Sequence, residues 1–135
     1  MRKFIFATLP VILFLGSCQE DFDHHLKRET QEYTQKHCPS HIEEGNRLDS
    51  MTYDIPSRNL TLWYTFSGVL DTPVARNAAL NNMERLRHQL LLELRGDTKW
   101  ETCKDENITF TYSYRSSALQ KEIFRISFTS SDYQR

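Results

Sequence analysis

Between Thr72 and Arg95 runs the one strong amphipathic stripe of the chain, and whatever sheet the remaining residues make has to be covered by it. Thr72 is a cap for free amides, Pro73 suits a first helical position, and Gly96 is placed to stop the helix. Ala79, Met83, Leu86, Leu90 and Leu94 then fall three or four apart, widened by Val74, Leu80 and Leu91. On either side of this segment the period changes to two. Met51, Tyr53 and Ile55 alternate with polar neighbours, Pro56 to Asn59 reads as a turn, and Leu60, Leu62, Tyr64 and Phe66 alternate again. After the helix, Ile108, Phe110, Tyr112 and Tyr114 alternate, Ser116 to Gln120 reverses the chain, and Phe124, Ile126 and Phe128 return. The pattern predicts an α+β domain: a small antiparallel sheet of about four strands, built from two hairpins, packed against one long helix.

A second helix is expected over Phe22 to His37, where Phe22, Leu26, Glu29 and Tyr33 keep helical spacing and Pro39 supplies the stop. Its apolar stripe is thin, which predicts a surface helix that leans on a crosslink through the adjacent Cys38.

Ahead of this, Arg2 and Lys3 precede an apolar run from Phe4 to Leu15, too short to span a bilayer, and Gly16-Ser17-Cys18 follows. Leu15-Gly16-Ser17-Cys18 resembles the lipobox of bacterial lipoproteins, whose cysteine is acylated and becomes the first residue after cleavage. The resemblance implies a signal peptide over 1–17, a polar tether over 18–23 and a single domain over 24–135. It also implies that Cys18 binds membrane lipid. Cys18-Gln19-Glu20-Asp21 is similar to the acidic surface-export signal of Bacteroidetes-type lipoproteins, and under either sorting scheme the expected address is the outer membrane, on the cell surface or the periplasmic face. In that compartment Cys38 and Cys103 form an even pair, and one disulfide is expected, contributing about 4 kcal/mol on the chain-entropy model; two free thiols, one or both binding metal, are the competing reading.

The whole chain carries 17 Lys plus Arg against 18 Asp plus Glu, and removing Arg2 and Lys3 leaves a net charge of −3. No basic run supplies the field that nonspecific nucleic-acid binding needs. Catalytic and metal signatures are equally thin. His24, His25, His37, Cys38 and His41 are the densest group of candidate ligands, but Pro39 breaks the helix that a His37–His41 pair would require, so no metal is expected there. His88 reads as a helix-flank residue beside Glu84, with no nucleophile elbow to serve. Glu43, Glu44, Asp49 and Asp54 offer carboxylates without a fixed separation. With 4 glycines in the chain there is no phosphate cradle, and no cofactor is expected.

Trp63 is the sharpest single residue. Its parity sets it opposite Leu62, Tyr64 and Phe66, on a face shared with Thr61 and Thr65, where it anchors a partner or stacks on a sugar unless the N-terminal helix covers it. Asp49-Ser50-Met51 is similar to the O-glycosylation acceptor of Bacteroidetes-type bacteria and points to Ser50. Asn59-Leu60-Thr61 and Asn107-Ile108-Thr109 fit a eukaryotic N-glycosylation pattern that a lipobox start makes irrelevant. The leading expectation is a lipid-anchored interaction or accessory module, not an enzyme, whose partner is an outer-membrane protein or a glycan. Its rivals are an inhibitor that fits a turn such as Ser116 to Gln120 into a cell-wall hydrolase, and a small enzyme or metal protein using the N-terminal histidines.

Overall fold

The computed structural model describes residues 21–134. Helix α1 runs through residues 21–37 and is followed by five strands: β1 (Ser40–Glu43), β2 (Asn46–Asp54), β3 (Asn59–Phe66), β4 (Thr109–Ser116) and β5 (Lys121–Phe128). Between β3 and β4 lie α2 (Pro73–Asn81), α3 (Met83–Gly96) and the short α4 (Glu101–Asp105), and α5 (Ser130–Tyr133) closes the chain. The strands form one sheet in chain order, antiparallel except for β3 and β4, which run parallel.

The expected four-stranded antiparallel sheet against one long helix is therefore corrected. Both hairpins exist, but the helical crossover returns the chain beside β3 in the same direction, a relation that alternation within each hairpin does not encode. The expected long helix is two helices. At the break, Asn82 leaves helical geometry and its side-chain amide donates to Ala78 O at 2.7 Å, while the Thr72 cap bonds Ala75 N as its sequence position foretells. Leu90 and Leu94 are buried and Ala79, Met83 and Leu86 pack beside the core, whereas Val74 and Leu80 are exposed. Strand β1, with one large apolar residue in Ser-His-Ile-Glu, has no alternation to reveal it; its hairpin turns at Gly45, where φ is +85° and a Cβ would lie 2.6 Å from Ser67 O.

All helices that bury side chains do so on one face of the sheet. That face carries Met51, Tyr53, Leu60, Leu62, Phe66, Phe110, Tyr112, Tyr114, Phe124, Ile126 and Phe128, and it receives Leu26 from α1, Leu90 and Leu94 from α3, Cys103 from α4 and Tyr133 from α5. Phe110 lies edge-on to both Trp100 and Tyr133, and the Tyr133 hydroxyl donates to Ile108 O at 2.6 Å. The crossover is pinned at both ends. Lys104 Nζ donates to Leu94 O and Arg95 O at the end of α3, and the Asp71 carboxylate accepts from Ser116 Oγ, Ala118 N and Arg76.

The expected Cys38–Cys103 disulfide is absent, and both thiols are free. Cys38 sits half-buried at the end of α1 and Cys103 is buried on α4. Cysteine parity and compartment predicted the bond, but neither carries any information about where two side chains point. Besides the buried Leu26, polar contacts tie α1 down. Asp23 accepts from the Tyr53 hydroxyl at 2.7 Å and from Arg58 Nε at 3.2 Å, and Arg58 reaches on to Glu106 O at 2.8 Å. Farther along, the Thr34 hydroxyl meets both the N–H and the C=O of Met51 at 3.0 Å, filling the edge of β2 that the short β1 leaves uncovered. Thr34→Val keeps the shape and leaves the Met51 N–H without its acceptor, so it is expected to cost about 1–3 kcal/mol in denaturant unfolding; a loss below about 0.5 kcal/mol would mean that water replaces the hydroxyl.

Candidate functional site

Among the described residues, the opposite face of the sheet has no helix against it. Across it run rows of hydroxyl side chains set by the ladders: Ser50 lies opposite Trp63, Trp63 beside Ser113, and Ser113 opposite Arg125; the next row is Thr52, Thr61, Thr111 and Ser127. Thr61 and Thr65 stand on the same side as Trp63, as their parity requires, but both are buried as floor while Trp63 is half-exposed above them. Helix α1 contacts the sheet through Met51 and Tyr53, on the other side, and does not cover the indole.

The indole is held in place. Its Nε1 donates to Thr52 Oγ1 at 2.8 Å, and the Arg125 guanidinium lies 6.0 Å from the ring centroid. Arg125 is aimed by Glu122, whose Oε1 accepts from Arg125 Nε at 2.7 Å and from Ser113 Oγ at 2.8 Å. Burial raises the Glu122 carboxyl, but these two hydrogen bonds outweigh it and leave the group below its usual range, so it stays ionised at neutral pH. On the other flank a bulge at Asp49 lets its carboxylate bond Thr65 Oγ1 and accept from Arg47 Nε at 2.7 Å. Thr111 Oγ1 donates to Asn59 Oδ1 and pairs with Ser127 Oγ, each at 2.9 Å. The result is a rigid, internally bonded polar surface with one large amphipathic ring standing on it and Arg47, Arg115 and Arg125 around it.

A separate concavity, a cleft of about 550 Å³, lies between α1 and the segment 98–103, lined by Phe22, Leu26, Tyr33, Met51, Trp100 and Cys103. Burial, reinforced by Glu29 and Glu106, pushes the Cys103 thiol up to about 11, so at neutral pH it is a protonated apolar wall and not a nucleophile. Trp100, which sequence reasoning passed over, belongs to this wall; its flanking Lys99 and Glu101 hide the fact that it packs on Phe110.

The structure disperses most of the other candidates. Cys18 lies outside the described residues. His24, His25 and His37 are exposed along α1, His41 is exposed on β1, and no group of three or more His, Cys, Asp or Glu suited to a metal occurs among the described residues. Ser50 is half-buried on β2, across the ladder from Trp63. His88 is exposed on α3. Ser116 to Gln120 is a compact turn whose first residue is fully buried against Asp71, with Ala118 and Leu119 at its outer side. Tyr133 is a core residue.

The chain belongs to the family described as "Domain of unknown function (DUF8479)", which matches residues 21–124. No curated protein matches its sequence. Two solved structures share its fold. A Pseudomonas aeruginosa protein described as secreted superposes with a TM-score of 0.65 at 14% identity, covering 82% of this chain and 95% of that one. The pilotin EpsS of the Vibrio vulnificus type 2 secretion system superposes with a TM-score of 0.60 at 9% identity, covering 89% of this chain and 98% of that one. Among the described residues no helix is long and apolar enough to cross a membrane.

Proposed function

We propose that the protein is a non-catalytic interaction module outside the cytoplasm, anchored at the outer membrane by lipid on Cys18, with its partner surface on the Trp63 face. The observation that carries this reading is the sheet face without a helix, on which a half-exposed tryptophan is oriented by Thr52 and Arg125. Tryptophan and arginine on a preorganised surface are the residue types that dominate binding energy, because they lose little entropy when the partner arrives. A secreted protein and a secretion-system pilotin as fold relatives support an accessory role beyond the cytoplasm. Buried polar groups such as Asp23 and Asp71 are engaged in holding elements together, which leaves them unavailable for acid–base work.

The geometry suits an anchored module. Three residue steps from Cys18 to Asp21 span at most about 11 Å, so acylation at Cys18 holds the start of α1 close to the bilayer. Asp23 fixes Arg58 at that same pole, and β3 then carries Trp63 five residues farther along, roughly 16 Å away at the rise of a strand. Modification of Ser50 with a glycan would place sugar beside the indole.

Affinity capture with the lipidated protein from detergent-solubilised outer membranes of the host tests the reading. Trp63→Ala is expected to weaken retention of the partner at least tenfold, or about 1.4 kcal/mol or more, while the melting temperature moves by no more than about 3 °C. Equal retention by the variant would remove the partner from this face.

A further inference from the structure

Strand β5 ends the sheet, and it is less protected than the opposite edge. Along β2, Thr34 and the short β1 occupy the outward backbone groups. Along β5, Arg87 from α3 donates to Ser127 O at 3.1 Å, which identifies Ser127 as an outward-facing residue. By the two-residue period of a strand, Arg125 also directs its N–H and C=O away from β4. Among the described residues, the edge between Lys121 and Ile126 has no further strand beside it. Immediately beneath, on the helix side, lies a recess of about 360 Å³ whose apolar wall is Pro73, Leu80, Leu119 and Ile123 and whose polar wall is Arg76, Asn77, Lys121 and Glu122. Leu80 and Leu119 are among the exposed large apolar residues, at 43% and 47%. An open backbone edge next to a recess with an apolar wall is the arrangement that binds extended peptides, the main chain supplying affinity and the recess reading alternate side chains.

The charges around the edge favour one kind of occupant. Arg125 pairs with Glu122, Arg76 with Asp71 and Arg87 with Asp132, but neither Lys121 nor Arg115 meets a carboxylate among the described residues. The edge is therefore locally cationic in a chain of net charge −1. A second copy paired antiparallel about Ile123 would set Lys121 opposite Arg125, and like charges directly opposite destabilise a ladder, so the unpaired cations favour an acidic partner over that self-pairing.

We propose that β5 is a docking edge for an extended acidic segment of the partner protein, which adds as a sixth strand and seats an apolar side chain among Leu80, Leu119 and Ile123. The inference rests on the interaction-module reading and specifies how the partner is held. The added strand continues the sheet face on which Arg125 and Trp63 lie, so the two contacts are one surface.

The probe is a synthetic library of ten-residue peptides with Glu at every second position and apolar residues between, titrated into the full-length protein and followed by amide NMR. Binding is expected to shift the amides of residues 121–127 and to slow exchange of the Arg125 amide. N-methylation of the peptide backbone, which removes strand hydrogen bonds and keeps side chains, is expected to weaken binding at least tenfold. Arg125→Pro removes the outward N–H together with the guanidinium that pairs with Glu122 and is expected to do the same; Leu119→Asp, on an exposed turn, leaves Arg125 and the Trp63 face untouched and is the second variant. Raising salt weakens binding, and a library with Lys in place of Glu does not bind. The proposal is overturned if no library member binds, if N-methylated peptides bind equally, if the shifts fall in the α1 cleft, or if the edge is closed by self-association. In any of these cases a partner captured in a Trp63-dependent manner would still support the interaction module, so the two readings fail separately.

Discussion

Asp71→Ala is expected to destabilise the domain by about 3–5 kcal/mol, close to the whole stability of many small domains. The carboxylate is buried and joins two distant parts of the chain: Arg76 at 2.8 Å in α2, and Ser116 Oγ at 2.6 Å and Ala118 N at 2.7 Å in the β4–β5 turn. Removing it leaves a mostly buried guanidinium, a hydroxyl and a backbone N–H without their acceptor, which costs far more than the net value of any one of those bonds. The effect also sets a pH dependence. Burial raises the Asp71 carboxyl, but the bonds from Ser116, Ala118 and Arg76 outweigh it and hold the group below its ordinary value of about 3.9. A group whose folded pKa is depressed stabilises the fold above its unfolded pKa and loses that contribution as pH falls through the folded value. Denaturant midpoints are therefore expected to drop below about pH 4, and Asp71→Asn, which keeps an acceptor without the charge, to flatten that drop. An unchanged midpoint in Asp71→Ala would mean that the crossover is anchored elsewhere.

The second large effect is expected at Phe110. This residue is fully buried on β4, beside the parallel junction with β3, and touches Trp100 and Tyr133 edge-on at 5.7 and 5.6 Å. Phe110→Ala leaves a cavity that three separate elements border, and about 3–5 kcal/mol of stability is expected to be lost in denaturant unfolding. Because Trp100 forms a wall of both this cluster and the α1 cleft, its fluorescence should change in the folded variant. A cost under about 1.5 kcal/mol would show that α4 and α5 collapse onto the vacancy.

Alternation was enough to place the four long strands and to say which side chains face the core, since β2 to β5 keep Tyr53, Leu62, Tyr112 and Ile126 inward as their parity requires. The same parity put Trp63 with Thr61 and Thr65. Relations between elements were not legible. A period of two fixes a face but not a neighbour, so the parallel pairing of β3 and β4 stayed hidden; a period of 3.6 continues through Asn81-Asn82, so the break between α2 and α3 needed the Asn82 amide to expose it. Whether α1 covers Trp63 depended on Asp23 meeting Tyr53 and on Thr34 meeting Met51, contacts between residues 30 and 17 positions apart. The disulfide expectation failed for a related reason: two cysteines and an oxidising address say nothing of geometry. The β5 edge could be recognised only after the strand order was known.

The protein is expected to meet its partner through the Trp63 face and the β5 edge. The most direct test is hydrogen exchange by mass spectrometry on the lipidated protein, alone and with the partner retained from outer membranes. Protection confined to peptides containing Thr61 to Thr65 and Lys121 to Ser127, with α1 unchanged, is the result expected. Protection that falls instead on α1 and residues 98–103, leaving the open sheet face as it is in the free protein, would contradict the account and make the apolar cleft the binding site.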